Sequence, residues 1–98
     1  MKSFLSTLIL CILREKECHG YELIRLIRGE FGVWLSPGTI YPALYALERT
    51  GVITWAWDDP KKKLRKQYSL TPEGESQCRE ELRYLENYLR RMGKLNLR

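Results

Sequence analysis

Leu5, Leu8, Ile9, Ile12 and Leu13 recur every three or four positions, the spacing that gathers side chains on one face of an α-helix. The period predicts a first helix from Met1 to Lys16. Phe4, Leu8 and Cys11 extend the apolar surface around its side, with Leu10 filling in, so the helix is greasier than one contact face requires. A second helix or a second chain is expected to cover the excess. The polar stretch Arg14 to His19 ends this element and Gly20 marks the connection to the next. A second helix, from Gly20 or Tyr21 to Phe31, follows from Leu23, Ile24, Ile27 and Phe31, with Glu22, Arg25, Arg28 and Glu30 on its wet side. Gly29 weakens its end and Gly32 suits a left-handed C-terminal cap; Val33, Trp34 and Leu35 then form a short apolar connection.

Ser36-Pro37 predicts a helix start, because a serine hydroxyl can accept from a first-turn amide and proline at the first helical position misses no hydrogen bond. The third helix should run to about Thr50 and stop at Gly51. Ile40, Leu44 and Leu47 form its inward face; Gly38, Pro42, Tyr45 and Arg49 form the opposite one, with Thr39 and Tyr41 beside the helix start. An interior proline removes a backbone hydrogen bond at a cost of about 3 kcal/mol, so Pro42 implies either a later start or a kink. Val52 to Trp57 and Gln67 to Leu70 flank Asp58-Asp59-Pro60 and a basic run, which makes a β-hairpin with a long basic tip. Trp55 and Trp57 alternate with Ile53, which predicts that both enter the core. Thr71-Pro72 repeats the start device and opens a last helix to about Met92, before Gly93. Along it Cys78, Leu82, Leu85, Leu89 and Met92 step four, three, four and three, a heptad seam that Tyr84 and Tyr88 widen.

Ninety-eight residues fit one small domain, which excludes large multidomain enzymes. The longest apolar run, Leu8 to Leu13, is far short of the roughly 20 residues of a membrane span and lacks a small-residue cleavage site. No membrane association and a cytoplasmic location are therefore expected. The net charge of +5 attracts polyanions without saying which. Its distribution says more: residues 1–35 carry 5 basic and 4 acidic groups, 36–70 carry 6 and 3, and 71–98 carry 6 and 5. Lys61, Lys62, Lys63, Arg65 and Lys66 supply most of that middle excess.

Cys11, Cys18 and Cys78 are too few and too irregular for a secreted disulfide framework or a CxxC zinc site. Cys18-His19 offers two ligands that diverge on a helix, with no second pair at zinc-finger spacing. No metal and no cofactor are expected. One histidine, without a phosphate loop, nucleophile elbow or HExxH pattern, leaves no catalytic site visible, so no enzyme is expected.

Three helices followed by a basic-tipped hairpin is the order of a winged helix-turn-helix, in which the third helix enters the major groove and the hairpin lies on the backbone. The expected class is α+β, mainly α, with residues 1–71 as the DNA-binding domain and 72–98 as a C-terminal dimerisation helix and tail. The N-terminal turn of the third helix can present amides to a phosphate or base edge. Ser36, Gly38, Thr39, Tyr41, Pro42, Tyr45 and Arg49 are thus candidate contacts on that helix; Lys61, Lys62, Lys63, Arg65 and Lys66 are candidates on the wing. One of the tyrosines could instead pack against the wing. Two heptads of an isolated helix are marginal in water, and the first helix has surplus apolar surface. Mutual burial across a two-fold axis answers both, with Phe4, Leu8, Cys11, Cys78, Leu82, Leu85, Leu89 and Met92 as candidate interface residues. Cys11 and Cys78 are expected on these two surfaces, where they could meet across subunits.

The sequence resembles the PadR-like transcriptional regulators. The resemblance is carried by His19-Gly20-Tyr21-Glu22-Leu23, by Gly38-Thr39-Ile40-Tyr41-Pro42-Ala43-Leu44-Tyr45 with Leu47-Glu48 and Gly51, and by Tyr68-Ser69-Leu70-Thr71-Pro72-Glu73-Gly74. Together these span most of residues 5–75, and Thr-Ile-Tyr-Pro-Ala-Leu is the specific part. The resemblance implies a homodimeric repressor of pseudo-palindromic double-stranded DNA, with the first and last helices at the dimer interface and Pro42 inside a recognition helix from about Pro37 to Thr50. Many members have a glycine-rich wing tip; here it is Asp58-Asp59-Pro60 followed by three lysines. The chain after Gly74 is short, which is similar to the compact members without a separate ligand domain. Some relatives bind flat aromatic effectors between subunits, and the counterpart here would draw on the first and last helices. Two other functions fit the same pattern: a winged-helix protein-interaction module, and a ligand- or redox-responsive sensor switched through the dimer interface.

Overall fold

The computed structural model describes residues 3–95; Met1 and Lys2, at the expected start of the first helix, and residues 96–98 lie outside them. The elements run α1 (Phe4–Glu15), α2 (Gly20–Phe31), α3 (Pro37–Arg49), β1 (Ile53–Trp57), β2 (Lys66–Leu70) and α4 (Pro72–Lys94). The inner stripes of the first three helices close on one core, in which Ile9, Leu10, Leu23, Ile27, Ile40 and Leu44 are fully buried. β1 and β2 pair antiparallel from Ile53 opposite Leu70 to Trp57 opposite Lys66. Cys18 exchanges backbone hydrogen bonds with Tyr68, at 3.1 and 2.7 Å, so the connection before α2 adds a bridge to the edge of β2.

The helix ends show which local signals acted. Gly32 closes α2 with φ 69°, as its position predicts. His19 begins α2 as its cap, with Nδ1 accepting from the Glu22 amide at 3.2 Å. The two Ser/Thr-Pro devices differ. Thr71 Oγ1 accepts from the Gly74 amide at 3.0 Å and donates to the Gly51 carbonyl at 2.6 Å, tying α4 to the end of α3. Ser36 makes no such cap bond: its hydroxyl lies 3.3 Å from that of Thr39, and its backbone carbonyl receives the Thr39 and Ile40 amides instead. The expected serine cap is therefore corrected to a start defined by Pro37. Pro42 lies inside a helix that continues through it.

Gly93 does not stop α4, which continues to Lys94. Trp55 and Trp57 are only half-buried, because a two-stranded sheet covers one face of the wing and leaves these side chains partly open, with their rings edge-on at 5.1 Å. Leu8 and Cys78, expected on open surfaces, are buried inside this chain where α1 and α4 pack. Cys78 faces the half-buried Cys11 there, so the expected meeting of these thiols across subunits is replaced by one within the chain. The same packing buries Thr7 and Glu81. The Thr7 hydroxyl donates to Glu81 Oε1 and the Gln77 amide donates to Oε2 at 2.8 Å, which satisfies a carboxylate removed from water. From Arg83 onward α4 is exposed except for the half-buried Leu85.

Candidate nucleic-acid interface

α3 is held from below by Ile40, Leu44 and Leu47, which are buried, so its outer face is bare. Ser36, Gly38, Thr39, Tyr41, Pro42, Tyr45 and Arg49 are all exposed on it. Tyr45 is the most open of its tyrosines at 62% exposure, and the Arg49 guanidinium stands 5.8 Å over its ring. Tyr41, at 39%, is the tyrosine that packs: it rests on α2 and also walls the cleft it shares with Trp57, Leu64 and Tyr68 of the wing. Its ring meets Tyr21 edge-on at 6.3 Å and lies on Gly20, where an added Cβ would fall 2.5 Å from its hydroxyl oxygen. Glycine at position 20 thus lets the two helices approach with a tyrosine between them. Burial pushes the Tyr41 phenol up, so the hydroxyl stays a hydrogen-bond donor at neutral pH.

The wing tip is built by its two aspartates. Asp59 Oδ1 accepts from the Lys61 and Lys62 amides at 2.9 and 3.2 Å, and its carbonyl receives the Lys63 amide at 2.8 Å. This turn carries Lys63 into the left-handed region with φ 53°, the conformation a glycine would otherwise supply. Asp58 pairs with Arg65 across the base of the tip, Nε to Oδ2 at 2.8 Å, and the guanidinium holds the Asp58 carboxyl below the usual carboxylate range. Arg65 also lies 3.3 Å from His19 Nε2, and Lys66 turns its ammonium over Trp55 at 4.3 Å. The five basic candidates therefore divide. Arg65 and Lys66 brace the wing, whereas Lys61, Lys62 and Lys63 are exposed and make no ion pair among the described residues.

A cleft of about 420 Å³ separates wing from helices, with Tyr21, Tyr41, Trp57, Leu64 and Arg65 among its walls. On α1, an apolar hollow of about 400 Å³ is lined by Cys11, Ile12, Leu26 and Phe31. Its walls come from α1 and α2; the expected effector site had drawn on α1 and α4. Among the described residues no group of three metal-ligating side chains converges and no helix is long and apolar enough to cross a membrane. Burial pushes the Cys78 thiol up to about 12 and the Cys18 thiol to about 11, so both are protonated at neutral pH and pack as small hydrophobes. The cap at His19, the seat of Tyr41 on Gly20 and the bracing of Arg65 and Lys66 escaped sequence reasoning. Only the Asx-turn at Asp59 had a local signal that could have revealed it.

Three helices closing on a two-stranded wing, with the outer face of the third left bare beside a basic tip, define a winged helix-turn-helix protein. The model of the transcriptional regulator PadR-like family matches residues 9–80, and the chain belongs to that family. It is similar to the transcriptional regulator Rv3488 of Mycobacterium tuberculosis, 33% identical over 76 residues that cover 78% of this chain and 70% of the relative. A solved transcriptional regulator from Clostridium thermocellum superposes with a TM-score of 0.84 at 27% identity, covering 96% of this chain and 94% of its own. Bacillus subtilis PadR, solved in complex with operator DNA, superposes with a TM-score of 0.73 at 31% identity, over 82% of this chain and 48% of its own.

Proposed function

We propose that this transcriptional regulator is a homodimeric repressor that binds pseudo-palindromic duplex DNA, with α3 in the major groove and the wing on the backbone. One observation carries this: the outer face of α3, with Thr39, Tyr45 and Arg49 exposed, adjoins a wing tip whose Lys61, Lys62 and Lys63 are free to meet phosphates. The operator complex of Bacillus subtilis PadR supports the same use of the fold. Thr39 and Tyr45 suit base edges and Arg49, at the helix end, suits a phosphate. α4 supplies the dimerisation helix of the 72–98 segment. Leu89 and Met92 of the seam are exposed, as are Tyr84, Tyr88 and Leu95, and Phe4 adds an exposed apolar side chain from α1. Burying this surface against a second copy removes apolar area from water that the single chain leaves open. Two wings then face one duplex with half-sites about one helical turn apart, and the dimer carries +10, twice the +5 of one chain.

A salt titration of binding tests the wing. Replacing Lys61, Lys62 and Lys63 together with alanine should flatten the slope of log K against log salt by roughly 2.7, at about 0.9 per lost phosphate contact, on every sequence. An unchanged slope removes the wing from the interface. Absence of binding to any duplex at low salt shifts the fold to a protein-docking role. Sedimentation reports the oligomer, and transcription in vitro from a selected operator reports the sign of regulation.

A further inference from the structure

The cleft between the wing and the helices gathers hydrogen-bond donors that nothing in the chain answers. His19 supplies the first. Its Nδ1 accepts from the Glu22 amide at 3.2 Å, and a neutral imidazole that accepts at one nitrogen carries its proton on the other. Nε2–H therefore faces Arg65 Nη1–H at 3.3 Å, donor against donor. Arg65 gives its Nε–H to Asp58 at 2.8 Å, which leaves the Nη groups free for an acceptor. Tyr68 supplies the third donor, beside His19, because its backbone bridges Cys18. The residue is 5% exposed, and its hydroxyl, which makes no hydrogen bond among the described residues, opens onto the cleft. A buried tyrosine hydroxyl usually finds a partner. Burial pushes this phenol up, so its proton stays in place at neutral pH.

The charged residues that line this cleft are Arg65 and Lys66, with no acid among the described residues. Glu17, Glu22 and Asp58 line instead the neighbouring hollow that shares His19 and Arg65. The missing acceptor is thus an anion. A phosphate monoester carries about −1.5 to −2 at neutral pH and three acceptor oxygens, one for each donor, where a carboxylate has a single charge and two oxygens. The remaining walls are aromatic. Trp57 faces in from the wing, and Tyr21 and Tyr41, edge-on at 6.3 Å, face in from the helices. Bases stack on such rings whatever their identity. The volume of about 420 Å³ suits one small ligand, since such pockets span roughly 300–1,000 Å³. We propose that this cleft binds a nucleoside monophosphate, its phosphate taking His19 Nε2–H, Arg65 Nη1–H and the Tyr68 hydroxyl, and its base lying between Trp57 and the Tyr21–Tyr41 pair. The ligand joins the start of α2 to the wing and so holds the wing against the helices. The site does not depend on DNA binding, because every group in it belongs to a single chain.

The test is calorimetric titration of the full chain, without DNA, with adenosine monophosphate, adenosine, inorganic phosphate and 2-naphthoate. Adenosine monophosphate should bind saturably, one per chain, and the other three should each bind at least about tenfold more weakly, since each lacks the phosphate or the base. Two variants locate it. Y68F keeps the ring and removes the hydroxyl; H19N keeps an acceptor for the Glu22 amide and removes the Nε2 donor. Each should weaken adenosine monophosphate by roughly 10–100-fold, the worth of a hydrogen bond to a charged group, with unchanged melting verifying the fold. A proton–nitrogen NMR correlation of the His19 ring in the free protein should show the proton on Nε2. A proton on Nδ1 removes the donor pair and overturns the site. No binding of adenosine monophosphate overturns it too, as does wild-type affinity in both variants. Equal binding of adenosine or of 2-naphthoate overturns the phosphate assignment. Failure of the wild type to bind any duplex overturns the DNA function and leaves this site standing.

Discussion

Gly74→Ala is the substitution for which the structure dictates a clear penalty. Gly74 is buried in the first turn of α4, where an added Cβ would lie 1.9 Å from the Val52 carbonyl oxygen, 2.9 Å from its carbon and 3.1 Å from Leu70 Cδ2. An ordinary carbon-to-oxygen contact needs about 3.3 Å, so helix and strand must separate by more than about 1 Å. The obstacle is backbone, and the same Val52 carbonyl already receives the Thr71 amide at 3.1 Å, so it cannot swing aside without losing that bond. Overpacking costs about 1–3 kcal/mol, and a backbone obstacle puts this site at the top of that range. Alanine returns up to about 1 kcal/mol in helix propensity. A net loss of about 2 kcal/mol should lower the melting temperature by about 8–16 °C for a domain of this size. Thermal unfolding followed by circular dichroism, at one fixed protein concentration, reads this directly. Gly93→Ala is the control, because nothing lies within 4 Å of its added Cβ; there the propensity gain stands alone and melting should rise slightly. Equal melting of Gly74→Ala and wild type would refute the close approach of α4 to Val52.

Thr71→Ala should cost about 1–2 kcal/mol, because its hydroxyl both caps α4 and ties it to Gly51, whereas Ser36→Ala should stay within about 0.5 kcal/mol; urea unfolding of the pair checks both. Asp58, held below the ordinary carboxylate range by Arg65, keeps its charge above that range and loses it only as pH falls through the lowered folded value. The ion pair at the wing base should therefore persist in mild acid, and a carboxyl-carbon NMR titration with a midpoint at or above about 3.9 would contradict it. Cys78, raised to about 12 by burial with a further push from Cys11, should react with an aromatic disulfide reagent only at the rate of unfolding at pH 8, while the half-buried Cys11 reacts first. Rapid modification of Cys78 in the native protein would count against its burial.

Much of the fold was legible because its signals are local. Leu23 and Ile27 one turn apart, Gly32 after the last of them, and the alternation about Ile53 each report on a single element, where spacing alone assigns faces and ends. The candidate face of α3 was legible for the same reason: once Ile40, Leu44 and Leu47 are inside, Thr39, Tyr45 and Arg49 must be outside. Ser36 shows the limit even at short range. Its sequence context matches that of Thr71, yet only Thr71 finds an acceptor for its own hydroxyl proton, the Gly51 carbonyl, that fixes its rotamer over the helix end.

The sequence by itself determined the order of elements, their buried stripes and the concentration of charge at one hairpin, since each depends on residues a few positions apart. Tertiary structure alone decided what those residues do. Among five basic wing residues it separated Lys61, Lys62 and Lys63 from the braced Arg65 and Lys66, and it seated Tyr41 on Gly20 while leaving Tyr45 open. It also enclosed Cys78, Thr7 and Glu81, with the half-buried Cys11 beside them, between helices at opposite ends of the chain. The physical reason is that hydrogen bonds and cation–π contacts act over a few ångströms. Periodicity orients a side chain relative to its own element but leaves open what the other elements bring against it.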